Sequence, residues 1–347
     1  MLLWSFAISK LSRQLIEQFD VLIRRDPARR GLIGSEGEHR PLCRGHLAEA
    51  ALHLAQRGGS VAIVTGFFIP HGSPPAAETD GPLGSLLLAS ALLAAGTDAT
   101  IVTDESCHRA LLAGARAANF PAERVQSYPD GSQEWIDRFF TEGAGRELTH
   151  LIAIERVGPG HTPQSLASQP RDAAAPVDEF LALVPAESQG RCHNMRGRMI
   201  DEHTADTHRI FEELLKYRPD AKTIGVGDGA NEIGMGTVPW EELYRRLPGE
   251  NAARIPCRIA TDWNIIAGTS NWGGYALAAA VLLARGRVDL LREWNGAQQR
   301  RVLEQMVEEG PAVDGVTGRR ETTVDGLPFL TYIQPWEGIR RLLGFPD

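Results

Sequence analysis

Cysteine is scarce in this chain, and the patterns that would give it a metal or redox role are missing. The four cysteines, Cys43, Cys107, Cys192 and Cys257, form no C-x-x-C pair. That excludes a zinc knuckle and a disulfide framework, and a reducing cytoplasm is the simplest compartment. The ten histidines show no metal spacing. His203 and His208 do not share a helical face, and His46 and His53 read as packing or surface residues of a helix. There is no G-x-S-x-G elbow and no Walker loop, so neither an α/β-hydrolase nucleophile nor a P-loop is present. An excess of basic residues is also lacking. A net charge of -8 argues against nucleic acid as the main partner, because phosphate binding needs basic surface. No apolar run is long and unbroken. The stretch Trp263 to Ala284 is interrupted by Ser270, Asn271, Trp272, Gly273 and Gly274, which would put polar groups near a bilayer centre. Met1 to Ala7 is apolar but too short for a secretory signal, with Lys10, Arg13 and Glu17 soon after it.

What is present is an ordinary globular composition, 43% hydrophobic and 23% charged over 347 residues, enough to bury a sizeable core. Apolar runs at Val61–Thr65, Thr100–Thr103, Leu148–Ile154 and Lys222–Val226 alternate with helical patterns at Ser9–Arg25, Arg44–Gln56, Leu83–Ala95, Glu105–Ala118, Gln133–Thr141 and Ala205–Tyr217. Val125 reads as part of a short strand, and Ile255–Ile259 and Trp263–Ala267 as further strands. Pro239–Arg246, Tyr275–Ala284, Asn295–Glu309 and a segment near Trp336 read as helices, the last reached through a Gly-rich, hairpin-like connection. This alternation predicts an α/β fold, a mostly parallel sheet flanked by helices, with ligands at the carboxyl ends of the strands. Between Val157 and Met199 the pattern fails, which reads as a lid or an inert surface excursion. The chain is expected to be one α/β domain, 1–347, or two lobes, about 1–155 and 200–347, joined by the irregular 157–199 segment.

The chemistry concentrates in loops after strands. Gly225-Val226-Gly227-Asp228-Gly229-Ala230 formally matches G-x-G-x-x-A, the dinucleotide fingerprint. Asp228 and Glu232 would aim negative charge at a pyrophosphate, so the charge contradicts that reading. A tight turn with Asp228 as a helix cap is the structural alternative. Two carboxylates and Asn231 in one glycine loop point instead to a cation or an amine. Glu78-Thr79-Asp80-Gly81-Pro82 is a second acidic loop, whose Asp80 would either cap the next helix or join Glu78 as a hard oxygen ligand. Arg156 and Asn194-Met195-Arg196-Gly197 offer carboxylate clamps or, more blandly, an ion pair and a surface turn. Asn271 reads as a ligand, an oxyanion donor or a helix cap.

Together these blocks resemble the D-glutamate cyclase family. The matching pieces are Thr65-Gly66-Phe67, Glu78 to Pro82, Glu155-Arg156, Asn194 to Gly197, Gly225 to Gly236 and Ser270-Asn271-Trp272-Gly273-Gly274, in that order. The resemblance implies reversible dehydration of D-glutamate to 5-oxo-D-proline with a divalent metal, Mn²⁺ or Mg²⁺. It places Glu78, Asp80, Asp228 and Glu232 as metal ligands. Glu232, Asp228 and Asn271 are expected in catalysis, with Glu232 the preferred base. Thr65, Gly66, Arg156, Asn194, Arg196, Gly229, Asn231 and Ser270 are expected around the substrate. A metal-dependent phosphoesterase on the same acidic cluster is the alternative, and a non-catalytic amino-acid or cation binding module is a third reading. Beyond the small-molecule substrate no nucleic-acid or membrane partner is expected, and a homodimer is plausible from the buried apolar helices and Trp-rich loops.

Overall fold

The computed structural model describes residues 10–33 and 40–346; the apolar Met1–Ala7 stretch and Ser9 lie outside them. Six parallel strands form the central sheet: β1 (Ser60–Thr65), β2 (Asp98–Asp104), β3 (Val125–Tyr128), β4 (His150–Ile154), β5 (Lys222–Gly227) and β6 (Trp263–Ile266). Their spatial order is β3-β2-β1-β4-β5-β6. The chain winds outward from β1, then returns to place β4 on β1's other side. Such a reversal opens a crevice at the carboxyl ends of the two central strands. The α/β expectation therefore holds.

Period-two alternation sorts the strand residues between two cores. Val61, Ile63, Ile152 and Ile154 join one cluster, while Ala62, Val64, Leu151 and Ala153 join the other. Helices α1 (Lys10–Ile23), α2 (His46–Arg57), α3 (Pro82–Ala94) and α4 (Glu105–Ala117) feed the first core, and α5 (Gln133–Thr141) and α6 (His208–Tyr217) the second. Helix α7 (Ser270–Ala284) belongs to the first core and is buried along most of its length, as is α3. Glycine makes their crossing possible. A Cβ on Gly274 would lie 2.9 Å from Gly84 Cα, and one on Gly84 would lie 2.9 Å from Asn271 Cα. The Ser-Asn-Trp-Gly-Gly stretch, which the sequence placed ahead of a helix starting at Tyr275, is thus the first helical residues of α7. Thr269 is its N-cap, accepting from Trp272 N at 3.4 Å.

The glycine loop after β5 leads into no helix. Residues 228–239 form turns and bridges before the short helix Trp240–Tyr244. Neither a phosphate cradle at a helix N-terminus nor a helix capped by Asp228 is formed there. Residues 255–259 are likewise irregular, making isolated bridges through Cys257 and neighbouring Ala260 instead of a strand. The irregular segment contains two short helices, Pro163–Ser168 and Val177–Leu183, and its Leu166, Phe180 and Val184 pack on Trp240 and Ala253. The expected late hairpin is present, Thr323–Val324 pairing with Leu327–Pro328.

At the amino end of the sheet, buried His150 meets His53 at 2.9 Å and Thr149 Oγ1 at 3.0 Å. Burial, then the neighbouring His53, depress its pKa from 6.5 to about 3. Between those values the unfolded chain binds a proton that the folded chain refuses, so stability falls as pH drops through the window. His150→Gln is expected to flatten the loss of urea stability between pH 7 and pH 4; His161, depressed to about 4 by burial, keeps part of the slope. An unchanged slope would show that His150 is not a source of acid lability.

Candidate active site

Four parts of the chain deliver carboxylates to the carboxyl edge of the sheet. Glu155 follows β4 and Asp228 follows β5, with Glu232 four residues further on. Glu78 and Asp80 come from the loop before α3, and Asp325 from the tip of the late hairpin. All six are buried. Ligand atoms of Asp80, Asp228 and Asp325 lie within 4.8 Å of one another, and so do those of Glu155, Asp228 and Glu232. Asp228 belongs to both triads.

Local structure explains each placement. Asp80 accepts from the first amides of α7, Ser270 N at 2.8 Å and Asn271 N at 2.9 Å, where the helix end favours negative charge. Glu232 Oε1 accepts from Gly229 N at 2.8 Å. Glu155 Oε2 accepts from Ser270 Oγ at 2.5 Å. Glu155 also holds a left-handed backbone at φ 47, a conformation costing a non-glycine residue roughly 1–3 kcal/mol. Its neighbour Gly81 has φ 94, and a Cβ there would lie 2.7 Å from Glu155 Cβ and 2.8 Å from Thr65 Oγ1. Strain of this kind gathers at functional sites.

The cluster is short of positive charge. Among the described residues the cation in contact with it is Arg30, which pairs with Asp228 and, at 3.0 Å, with Asp325. Burial raises the pKa of Glu78 and Glu155 well above the carboxylate range, reinforced by nearby carboxylates. Burial does the same to Asp228 against the opposing pull of Arg30. Burial and then Asp325 push Asp80 to about 7, although the α7 amides pull it down. Glu232 is raised by burial and moderated by Arg30 and backbone N–H groups. Glu78 Oε1 and Glu232 Oε2 are buried with no hydrogen-bond partner. Crowded hard oxygens with unused lone pairs fit a divalent cation such as Mg²⁺ or Mn²⁺.

A cavity of about 260 Å³ opens onto this cluster, lined in part by Arg30, Glu78, Glu155, Asn194, Arg196 and Glu232. A wider cleft of about 760 Å³ lies at the amino end of the sheet, beside His53, Arg146 and Arg218. It carries no such cluster, and its Arg218 is spent on the carbonyls of Gly145 and Phe140.

Of the residues expected from sequence, Glu78, Asp80, Asp228 and Glu232 come together. Asn194, Arg196 and Asn231 line the cavity. Asn194 Oδ1 accepts from Arg196 N at 2.9 Å and Arg198 N at 3.1 Å, shaping the turn that presents Arg196. Asn231 donates to His193 O at 2.9 Å and keeps Oδ1 unpartnered. Thr65 Oγ1 is buried without a partner, and Gly229 and Ser270 hold carboxylates as described.

Three assignments need correction. Arg156 is no substrate clamp: it is 1% exposed and fully engaged by Thr207 Oγ1, Gly66 O, Asp104 Oδ2 and Ala205 O, each at 2.7 Å. Gly66, by accepting from Arg156, is part of that brace. Asn271, expected as a ligand or oxyanion donor, is fully buried with its amide engaged in the scaffold. Its Oδ1 accepts from Gly84 N at 2.7 Å and its Nδ2 donates to Thr79 O at 3.2 Å, tying α7 to the Asp80 loop.

Sequence reasoning missed Arg30, Asp325 and the carboxylate of Glu155. Asp325-Gly326, both with positive φ (53 and 75), is a two-residue hairpin loop. Its turn chemistry hid a carboxylate that folds inward. Arg30 sits in a loop shaped by Asp26, whose oxygens accept from Arg30 N and Gly31 N at 2.8 Å. Asp26-Pro27 was a legible turn signal, but nothing local says where the next arginine points.

Gly315 guards Glu78: a Cβ there would lie 2.1 Å from Glu78 Oε2. Gly315→Ala is expected to push the Glu78 carboxylate aside, lowering turnover about tenfold or more through misplacement with little change in melting temperature. Wild-type turnover in Gly315→Ala would free Glu78 from any positional role.

The fold and this cluster define the class: an α/β protein with a buried acidic site at the carboxyl edge of a parallel sheet, suited to a cation and a small polar ligand. A family model described as D-glutamate cyclase-like, C-terminal, matches residues 20–189 and 184–340, and the chain belongs to that family. It is also 29% identical over 287 residues to the Homo sapiens protein named "D-glutamate cyclase, mitochondrial", an alignment covering 80% of this chain and 40% of that protein. The chain thus spans well under half of that relative's length. Among the described residues no helix is long and apolar enough to cross a membrane.

Proposed function

We propose that the chain cyclises D-glutamate reversibly to 5-oxo-D-proline and water. The observation carrying this reading is the convergence of the buried carboxylates on a cavity sized for a small amino acid, in a chain of the D-glutamate cyclase-like family. In the reaction the α-nitrogen bonds to the γ-carboxyl carbon and one carboxylate oxygen leaves. The two protons lost by the ammonium depart with that oxygen as water, so the site must accept protons and return them.

Glu78 is placed for that exchange. It lines the cavity, has an unpartnered buried oxygen and stands outside both triads. Burial raises its pKa, which brings a carboxylate nearer to the value useful for proton transfer at neutral pH. Glu232, the base preferred from sequence, lies within a triad and with Glu155 and Asp228 would hold the divalent cation. That cation would supply the positive charge that makes a γ-carboxylate electrophilic. With Arg156 committed elsewhere, Arg196 in the cavity lining would hold the α-carboxylate and set the D configuration.

Incubation with D-glutamate, L-glutamate and a phosphate ester, each with Mn²⁺ and with chelator, tests the reading. The expected result is 5-oxoproline from the D isomer, suppressed by chelator. Phosphate release without 5-oxoproline would instead select a phosphoesterase.

A further inference from the structure

The two carboxylate triads are not equivalent, and Arg30 makes the difference. Its guanidinium meets both oxygens of Asp325, at 3.0 and 3.3 Å, and pairs with Asp228. The third member of that triad, Asp80, has both oxygens on the amides of α7. In the Glu155–Asp228–Glu232 triad Arg30 pairs with the shared Asp228 alone and makes no ion pair with Glu155 or Glu232, and Glu232 Oε2, in a residue 1% exposed, has no partner. We propose that Arg30 stands in for a second cation: it fills the Asp80–Asp228–Asp325 triad permanently and leaves the Glu155–Asp228–Glu232 triad as the one divalent-ion site. The inference rests on the cation-assisted reading above for the nature of the ion, but turnover is not needed to test it.

Three features make Arg30 a built element and not a passing ion pair. A guanidinium keeps its charge at any pH where proteins fold, and its planar fork matches two carboxylates at once. The loop carrying it is fixed by Asp26 on the amides of Arg30 and Gly31. Gly31 has φ 86, and a Cβ there would lie 2.2 Å from Arg246 O, so this loop rests on backbone that admits no side chain. Two ions bridged by a shared carboxylate are the arrangement used for in-line phosphoryl displacement. Occupation of one triad by Arg30 removes that arrangement and separates this site from a binuclear phosphoesterase.

Mn²⁺ stoichiometry of the full chain, measured by equilibrium dialysis with metal analysis and by electron paramagnetic resonance, decides the matter. Wild type and Arg30→Lys should each bind one Mn²⁺ per chain with the spectrum of an isolated ion. Arg30→Gln should bind two, with the broadened spectrum of a coupled pair. Two ions in wild type, none in wild type, or one in Arg30→Gln would each overturn the proposal. Should Arg30→Gln fail to fold, Asp325→Asn and Glu232→Gln still discriminate. Asp325→Asn should keep Mn²⁺ affinity within about threefold, and Glu232→Gln should weaken it at least about tenfold. The reverse pattern would overturn the assignment. A wild type that binds one Mn²⁺ yet leaves D-glutamate unchanged would sink the cyclase reading and leave Arg30's role standing.

Discussion

Asp228→Asn should lower 5-oxo-D-proline formation by about a thousandfold or more, equivalent to about 4 kcal/mol of lost transition-state stabilisation. Asp228 is the carboxylate common to both triads, so its replacement withdraws a ligand from the proposed cation and a partner from Arg30 together. The amide keeps the side chain's shape. It removes one negative charge from a cluster in which burial already penalises ionisation, and Arg30 retains Asp325. Folding should therefore be preserved, with a melting temperature equal to or above that of wild type. Activity and thermal unfolding measured on one preparation separate the two effects. Full activity would remove the glycine loop from the mechanism; a collapsed melting temperature would make Asp228 structural.

Arg156→Met carries the largest expected effect on stability. The guanidinium braces β1, β2 and the Ala205–Thr207 segment from inside the protein, and its loss leaves Asp104 buried and unpaired. Breaking a buried pair from one side costs about 3–5 kcal/mol. Burial alone would raise the Asp104 pKa, but Arg156, by charge and hydrogen bond, holds it below its ordinary 3.8. A depressed carboxylate contributes stability that is present above 3.8 and lost as pH falls through its folded pKa. Urea unfolding of Arg156→Met should show a lower midpoint at pH 7 and no such contribution on acidification. The double variant Arg156→Met/Asp104→Asn should recover part of the loss, since it leaves no buried charge. Wild-type stability in Arg156→Met would contradict the brace and reopen a role in binding substrate.

The two substitutions also show what the sequence could and could not say. The strands were legible because a parallel sheet covered on both faces needs continuous apolar runs, and Val61–Thr65 and Leu148–Ile154 are such runs. Glu78, Asp80, Asp228 and Glu232 were legible because each stands in a loop after or between such elements, where an acid has no packing reason to be. Arg156 misled because an arginine ending a buried strand reads the same whether it faces a ligand or Asp104; the partner lies on another strand. Asn271 misled for a related reason. Its amide ties the first turn of α7 to the first turn of α3, nearly two hundred positions away, and no local pattern reports such a contact. Arg30 and Asp325 lay in turns whose chemistry was readable but whose direction depends on how the ends of the chain close over the sheet edge.

The central claim is that remote carboxylates hold a divalent ion beside a small dicarboxylic amino acid. Anomalous scattering from crystals containing Mn²⁺ and 5-oxo-D-proline tests it most directly. A manganese peak bounded by Glu155, Asp228 and Glu232, with the ring in the cavity next to Glu78, is the predicted result. Manganese confined to surface carboxylates, with the ligand bound away from this cluster, would contradict it.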